Sequence, residues 1–201
     1  VISIEEALTG KVPQAALSYC TQLWVEAPFD FKLTRARSSK LGDYRYDPKT
    51  ANHSVTVNHD LNPYQFLITY VHEVAHRVVH QPKSRQKPHG IEWKRTFQQL
   101  MLPLLRPEVF PDDILRALAK HMKNPKASTA ADPKLLQAVS NYDLTKSDGP
   151  TLRNLLPGQE FVFRKRAFRK IKTNRTRAVC LDLSNQRRYL IPILVEVEQV
   201  R

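Results

Sequence analysis

Cysteine is nearly missing from this 201-residue chain, where only Cys20 and Cys180 occur. One falls in a predicted helix and the other in a predicted strand, so they offer neither a disulfide framework nor a cysteine metal site. A reducing, cytoplasmic setting is expected. Long apolar runs are missing too. None approaches the ~18 residues of a membrane span, and the longest, residues 189–195, contains Pro192 and reads as a strand. The opening Val1-Ile2-Ser3-Ile4-Glu5-Glu6 lacks the basic start and extended apolar region of a secretory signal, so export is not expected. Internal repeats and low-complexity tracts are absent. What remains is a soluble globular chain with 41% hydrophobic residues, able to bury one substantial core and to form one or two domains. Acids are scarce as well, 19 against 32 Lys and Arg, for a formal net charge of +13.

The most informative stretch is His72-Glu73-Val74-Ala75-His76, followed thirteen residues later by His89-Gly90-Ile91-Glu92-Trp93. Residues 62–81 read as one helix, opened by Asn62 as cap and Pro63 in the first turn, and ending before Pro82. Leu67, Val71, Val74, Ala75 and Val78 form an apolar stripe at helical spacing, leaving His72, Glu73, His76 and His80 on the other side. Positions i and i+4 lie one turn apart on one face, so His72 and His76 can aim at a single tetrahedral zinc ion. Glu73 then falls beside the ion, placed as general base to take a proton from water that the metal has acidified.

A catalytic zinc usually takes three protein ligands and keeps a fourth position for water. His80 continues the series, but it lies about 12 Å of helical rise from His72 and reads as a solvated histidine. Val79 and Pro82 stand where a metzincin would need glycine and a third histidine. Two candidates remain. Glu92 would complete a two-His-one-Glu site, whereas His89, just before Gly90, sits where a loop can swing it toward the first helix and is preferred.

Around this motif the first hundred residues read as α+β. A helix is predicted over residues 12–26, a strand over residues 29–35 with Phe29, Phe31 and Leu33 alternating, and further strands near residues 44–46 and 55–58. A small antiparallel sheet packed on the two motif-bearing helices is the expected architecture. Residues 105–150 are punctuated by Pro107, Pro111, Pro125 and Pro133, with helices predicted over 112–122 and 133–142, and read as a helical extension or linker. The polar run 141–149 and Gly149-Pro150 suggest a boundary. From residue 151 to 201 the pattern turns strand-like, over 160–168, 177–183 and 188–200, as a small antiparallel β module.

That module concentrates charge, with twelve Lys and Arg against four Asp and Glu, a net +8. Arg164, Lys165, Arg166, Arg169, Lys170, Lys172, Arg175, Arg177, Arg187 and Arg188 interleave with Phe161, Phe163, Phe168 and Tyr189. A basic sheet face carrying aromatics can track a phosphate backbone and stack unpaired bases, which makes these ten residues candidates for binding single-stranded or partly unpaired DNA. Location with the nucleoid would follow.

Residues 70–76, the loop 81–87 and Pro88-His89-Gly90-Ile91-Glu92-Trp93-Lys94 resemble the core of the SprT-like and Spartan metalloproteases, which carry HExxH, a short variable loop, then HG opening an aromatic-containing helix. Lys40-Leu41-Gly42-Asp43-Tyr44-Arg45 and Ser54-Val55-Thr56-Val57-Asn58 resemble the segment that family places before its active-site helix. The likeness covers residues 12–104 and assigns a metalloprotease core, of minimal zincin-like form, to residues 1–104. It implies one Zn2+ held by His72, His76 and His89, catalysis by Glu73, a packing role for Trp93, and protein substrates bound or crosslinked to DNA, as in DNA repair. The cysteine zinc ribbon that many members carry afterwards cannot form with Cys180 alone, and a metal-free sheet would stand in its place. A monomer without membrane contact is expected. The alternative is a zinc-containing nucleic-acid-binding or regulatory protein without significant peptidase activity.

Overall fold

The computed structural model describes residues 3–37, 40–81, 87–143, 150–174, 177–193 and 195–199. Within the described residues the chain is α+β with six α-helices and two sheets. No described helix is long and apolar enough to cross a membrane. Two compact units are present, one formed by residues up to 129 with 134–144, the other by 130–133 and 145 onward.

The first unit begins with helices α1 (Ile4–Leu8) and α2 (Gln14–Glu26), followed by strands β1 (Asp30–Thr34), β2 (Gly42–Asp47) and β3 (Asn52–Asn58). Helices α3 (Pro63–Val79), α4 (Ile91–Met101), α5 (Asp112–Met122) and α6 (Pro133–Ser140) complete it. The sheet has the order β1-β3-β2. β2 and β3 form an antiparallel hairpin, but β1 pairs parallel to β3, so the expected antiparallel sheet is a mixed one. The chain leaves β1 at one edge and enters β2 at the other, and side-chain alternation carries no information about that crossing. Val55 and Val57 are fully buried on the inner face. Leu33, expected to join Phe29 and Phe31 inside, is exposed near the end of its strand.

Helix α3 lies at the centre of the unit. Asn62 caps it by accepting the N–H groups of Tyr64 at 3.1 Å and Gln65 at 2.9 Å, while Pro63 occupies the first turn, where no hydrogen bond is lost. Phe66, Leu67, Tyr70, Val71, Val74 and Ala75 are buried at helical spacing. Val78, predicted to share that stripe, is 46% exposed, whereas its neighbour Val79, the last residue of the helix, packs against the core. The opposite side is covered as well, which leaves Glu73 only 7% exposed.

Residues 105–143, read from sequence as an extension or linker, supply Val109, Phe110, Ile114, Leu118, Leu135 and Val139 to the same core as α2, α3 and α4. The Asn62 side-chain amide donates to the Val139 carbonyl at 3.1 Å and to Asp143 Oδ1 at 2.6 Å, and Tyr142 donates to Asp113 at 2.9 Å. Residues 82–86 of the variable loop, Gly149 of the suggested boundary and Arg175 lie outside the described residues.

The second unit is a five-stranded antiparallel sheet. Its strands are β4 (Glu160–Phe163), β5 (Arg166–Thr173), β6 (Arg177–Asp182), β7 (Arg188–Pro192) and β8 (Glu198–Gln199), in the order β7-β6-β5-β4-β8. The single strand expected over 160–168 is two strands joined by Arg164 and Lys165, both at positive φ, 52° and 62°. This two-residue reversal normally calls for Asn-Gly, and two cations in its place give no turn signal. The strand expected over 188–200 is likewise interrupted, between β7 and β8. Leu152, Leu155, Phe161, Phe168, Ala178, Cys180 and Ile191 form the core of this unit.

Candidate metal centre

One helical turn of α3 brings the rings of His72 and His76 to 5.0 Å between centroids. His89 reaches them from the turn before α4. Its Nε2 lies 3.1 Å from that of His72 and 3.0 Å from that of His76, and the two helix nitrogens are 3.2 Å apart. A neutral imidazole carries a single N–H, so a closed triangle of ring nitrogens is poorly satisfied by shared protons. It is well satisfied by a cation that accepts three lone pairs. Nitrogens on one tetrahedral ion with bonds of ~2.0–2.1 Å stand about 3.3 Å apart, close to the spacing here. The His72-His76-His89 cluster could therefore hold a metal ion.

Electrostatics keep these rings in the ligating form. Burial first, then the charges of neighbouring histidines, push His72 down to about 2 and His76 down to about 4. Burial also lowers His89. All three are neutral at pH 7, as metal ligation requires.

The turn that delivers His89 explains its glycine. His89 has φ 58°, a conformation uncommon outside glycine, and Gly90 donates its N–H to the Lys87 carbonyl at 2.9 Å. A β-carbon on residue 90 would stand 2.9 Å from that carbonyl oxygen. Trp93, one turn into α4, lies behind the triad with its ring 4.6 Å from both His72 and His89 and 5.3 Å from His76. Phe97 stacks on Trp93 at 5.0 Å and meets His72 edge-on at 5.8 Å. Glu92, the other candidate ligand, is exposed and not part of the nitrogen cluster.

Glu73 lines the same cavity as the three histidines, a cleft of about 980 Å³. Burial, then the nearby Asp43 charge, push its carboxyl up to about 8, while the Tyr44 backbone N–H and the charges of Arg37 and Lys40 oppose that rise. A divalent cation among the imidazoles would lower it further. Tyr44 touches both kinds of site residue, since its ring lies nearly parallel to that of His76, 9° between planes at 6.4 Å. Its hydroxyl bonds His53 Nδ1 at 2.7 Å.

Sequence reasoning missed the contacts of Gly42, Tyr44 and His53, because nothing in their spacing sets β2 against α3. It also misplaced His80. That ring is half-buried, packing against Tyr46 at 4.3 Å and His53 at 5.3 Å, and its Nε2 is buried without a partner among the described residues.

In the second unit, the candidate nucleic-acid residues divide. Lys170 is withdrawn, because it is 2% exposed and its ammonium donates to the carbonyls of Leu152 at 2.8 Å and Leu155 at 2.5 Å. It shares the inward face with Phe168, two residues earlier on β5. Phe161 and Phe168 are core residues and offer no stacking surface. Arg166 pairs with buried Asp182 and lies over the rings of Phe168 and Tyr189. Arg169 pairs with Glu160 at 2.7 Å. Arg164, Lys165, Lys172, Arg177, Arg187 and Arg188 are exposed. The β4–β5 and β6–β7 turns share one end of the meander, which gathers Arg164, Lys165, Arg187 and Arg188 there, while Lys172 and Arg177 lie toward the other end. No protein-family model, curated protein or solved structure matches this chain.

Proposed function

We propose that the chain is a zinc-dependent endopeptidase of the SprT-like type, acting on proteins bound or crosslinked to DNA. The observation that carries this reading is the convergence of His72, His76 and His89 Nε2 within 3.2 Å of one another in a cleft that also holds Glu73. Three neutral imidazoles without a thiolate suit zinc, and a set of three leaves a position for water, as catalytic sites do. Zinc would supply Lewis acidity, polarising a peptide carbonyl and acidifying water. Glu73 takes the proton of the attacking water and passes it to the leaving amine. Its burial and the Tyr44 N–H hold the carboxylate in one orientation. β2 is an edge strand along the cleft, so an extended peptide can lie beside it and pair with its backbone. The exposed cations at the β4–β5 and β6–β7 turns support contact with DNA phosphates.

The test is cleavage of a DNA-binding protein by the zinc-loaded chain, with and without single-stranded DNA. Cleavage that Glu73→Gln abolishes is expected. Equal cleavage by the parent and Glu73→Gln would overturn the peptidase reading and leave a zinc-containing nucleic-acid-binding or regulatory protein.

A further inference from the structure

The cleft that holds Glu73 and the three histidines extends beyond them. Gln65, Ile68 and Thr69 line it as well, at seven, four and three residues before His72, the spacing that keeps them on one face of α3. Gln65 lies ~10 Å of helical rise from His72, and an extended chain covers ~3.3 Å per residue. This arm of the cleft is therefore long enough for about three residues of a bound peptide. Ala127, Ser128 and Thr129, in the segment that precedes α6, line it too.

None of these six side chains ionises, and the polar ones near the floor are bonded to one another. The Thr129 hydroxyl donates to Gln65 Oε1 at 3.2 Å, Gln65 Nε2 donates to Thr69 Oγ1 at 3.3 Å, and the Thr69 hydroxyl donates to the Gln65 carbonyl at 2.7 Å. All three residues are buried, so the wall is uncharged and held in place by its own hydrogen bonds. The ionised side chains elsewhere in the cleft supply no counterion here. Lys40 is bonded to Asp43 at 2.8 Å, and Lys87 and Glu92 flank His89 in the turn and first turn of α4. A charged side chain entering the arm loses its water and meets no opposite charge, which is costly, whereas an uncharged one escapes that cost.

We propose that this arm is the specificity subsite of the cleft, taking uncharged side chains on one side of the scissile bond and rejecting Lys, Arg, Asp and Glu there. The inference rests on the peptidase reading and narrows its substrate class. In a basic, nucleic-acid-bound protein the cut falls at uncharged stretches between the cationic ones. Gln65 and Thr129, which meet by a side-chain hydrogen bond at the far end of the arm, are the specificity-determining residues.

Peptides of one sequence, with Ala, Asn, Lys or Glu at each of the three positions on either side of the cut, test this with the full, zinc-loaded chain. Cleavage is followed by mass spectrometry, and binding of the same peptides to zinc-loaded Glu73→Gln by anisotropy. Relative to Ala or Asn, Lys and Glu should lower kcat/KM by at least ~10-fold on one side of the cut only, with affinity for Glu73→Gln falling in step. Ser128→Asp alters an exposed side chain and preserves the fold, while Gln65→Glu sets a carboxylate in the wall. Each should shrink the penalty on Lys by about 5-fold or more and deepen that on Glu. Equal handling of charged and uncharged peptides, a Lys penalty untouched by Ser128→Asp, or failure of every peptide to bind overturns the subsite, even if Gln65→Glu fails to fold. Peptides that bind with the expected discrimination yet are never cut by the parent would remove the peptidase reading and leave the subsite standing.

Discussion

The carboxylate of Glu73 rests in space that a side chain at position 42 would fill: a β-carbon on Gly42 would stand 2.6 Å from Glu73 Oε1 and 2.7 Å from Thr69 Cγ2. The backbone of β2 therefore approaches α3 as closely as it does because residue 42 is glycine. Gly42→Ala must push the strand or the carboxylate aside. A loss of about 1–3 kcal/mol in stability is expected from overpacking, together with at least a ~10-fold fall in the proposed peptidase activity at unchanged metal content. Thermal melts, elemental analysis and a peptide-cleavage assay on the same preparation check this.

Glu73→Gln preserves size and removes only the proposed base. Metal content should stay at one ion per chain while cleavage drops by about 10²–10⁴, the usual contribution of a general base. Autocleavage of a stored sample, followed by mass spectrometry, is a sufficient measurement.

His89 and Glu92 offer opposed tests of the ligand set. His89→Ala should weaken metal affinity by more than the ~10–100-fold typical of losing an outer-shell partner. Glu92→Ala should leave it unchanged, because Glu92 is exposed and outside the nitrogen cluster. Competition with a chelator of known affinity separates the two.

The metal-free chain should be labile to acid. His72 and His76 titrate at about 2 and about 4 in the folded state, against ~6.5 when unfolded. Between those values the unfolded chain binds more protons, so stability falls as pH drops from ~6.5 toward ~4. Glu73, raised to about 8, acts in the opposite direction and gains stability as pH falls through its own window. The chelated Glu73→Gln chain isolates the imidazoles, and its melting midpoint should decline by roughly 5 °C or more from pH 7 to pH 5. A flat profile would contradict their burial in neutral form.

Lys170 and the turn cations should respond in opposite ways. Lys170→Met leaves the Leu152 and Leu155 carbonyls without their donor and should destabilise the second unit by about 1–3 kcal/mol. Arg164→Ser with Lys165→Ser should leave stability within ~0.5 kcal/mol and reduce the salt dependence of DNA binding. Urea melts and anisotropy titrations distinguish the two effects.

Much of the site is legible in sequence because it is local. Asn62-Pro63 marks the start of α3, the i, i+4 spacing joins His72 to His76, and His-Gly before an amphipathic stretch marks the turn that brings in His89. What stayed hidden depends on long-range packing. The parallel pairing of β1 with β3 leaves no trace in alternation, and the approach of β2 to Glu73 becomes apparent only from the folded backbone. Lys170 illustrates the same limit from the other side. In a string of cations it is indistinguishable from its neighbours, and only its register on β5 turns it toward the interior.

Trp93 gives the candidate metal centre an optical reporter of its own. The chain has two tryptophans. Trp24 donates its indole N–H to the Phe29 carbonyl at 2.8 Å, whereas Trp93 is buried against all three imidazoles. An ion entering among those rings changes the electric field at one indole and leaves the other as an internal reference. Metal loading, exchange and loss can thus be followed by intrinsic fluorescence, without a label and without any substrate, and Trp24→Phe would reduce the signal to the one ring that touches the ligands.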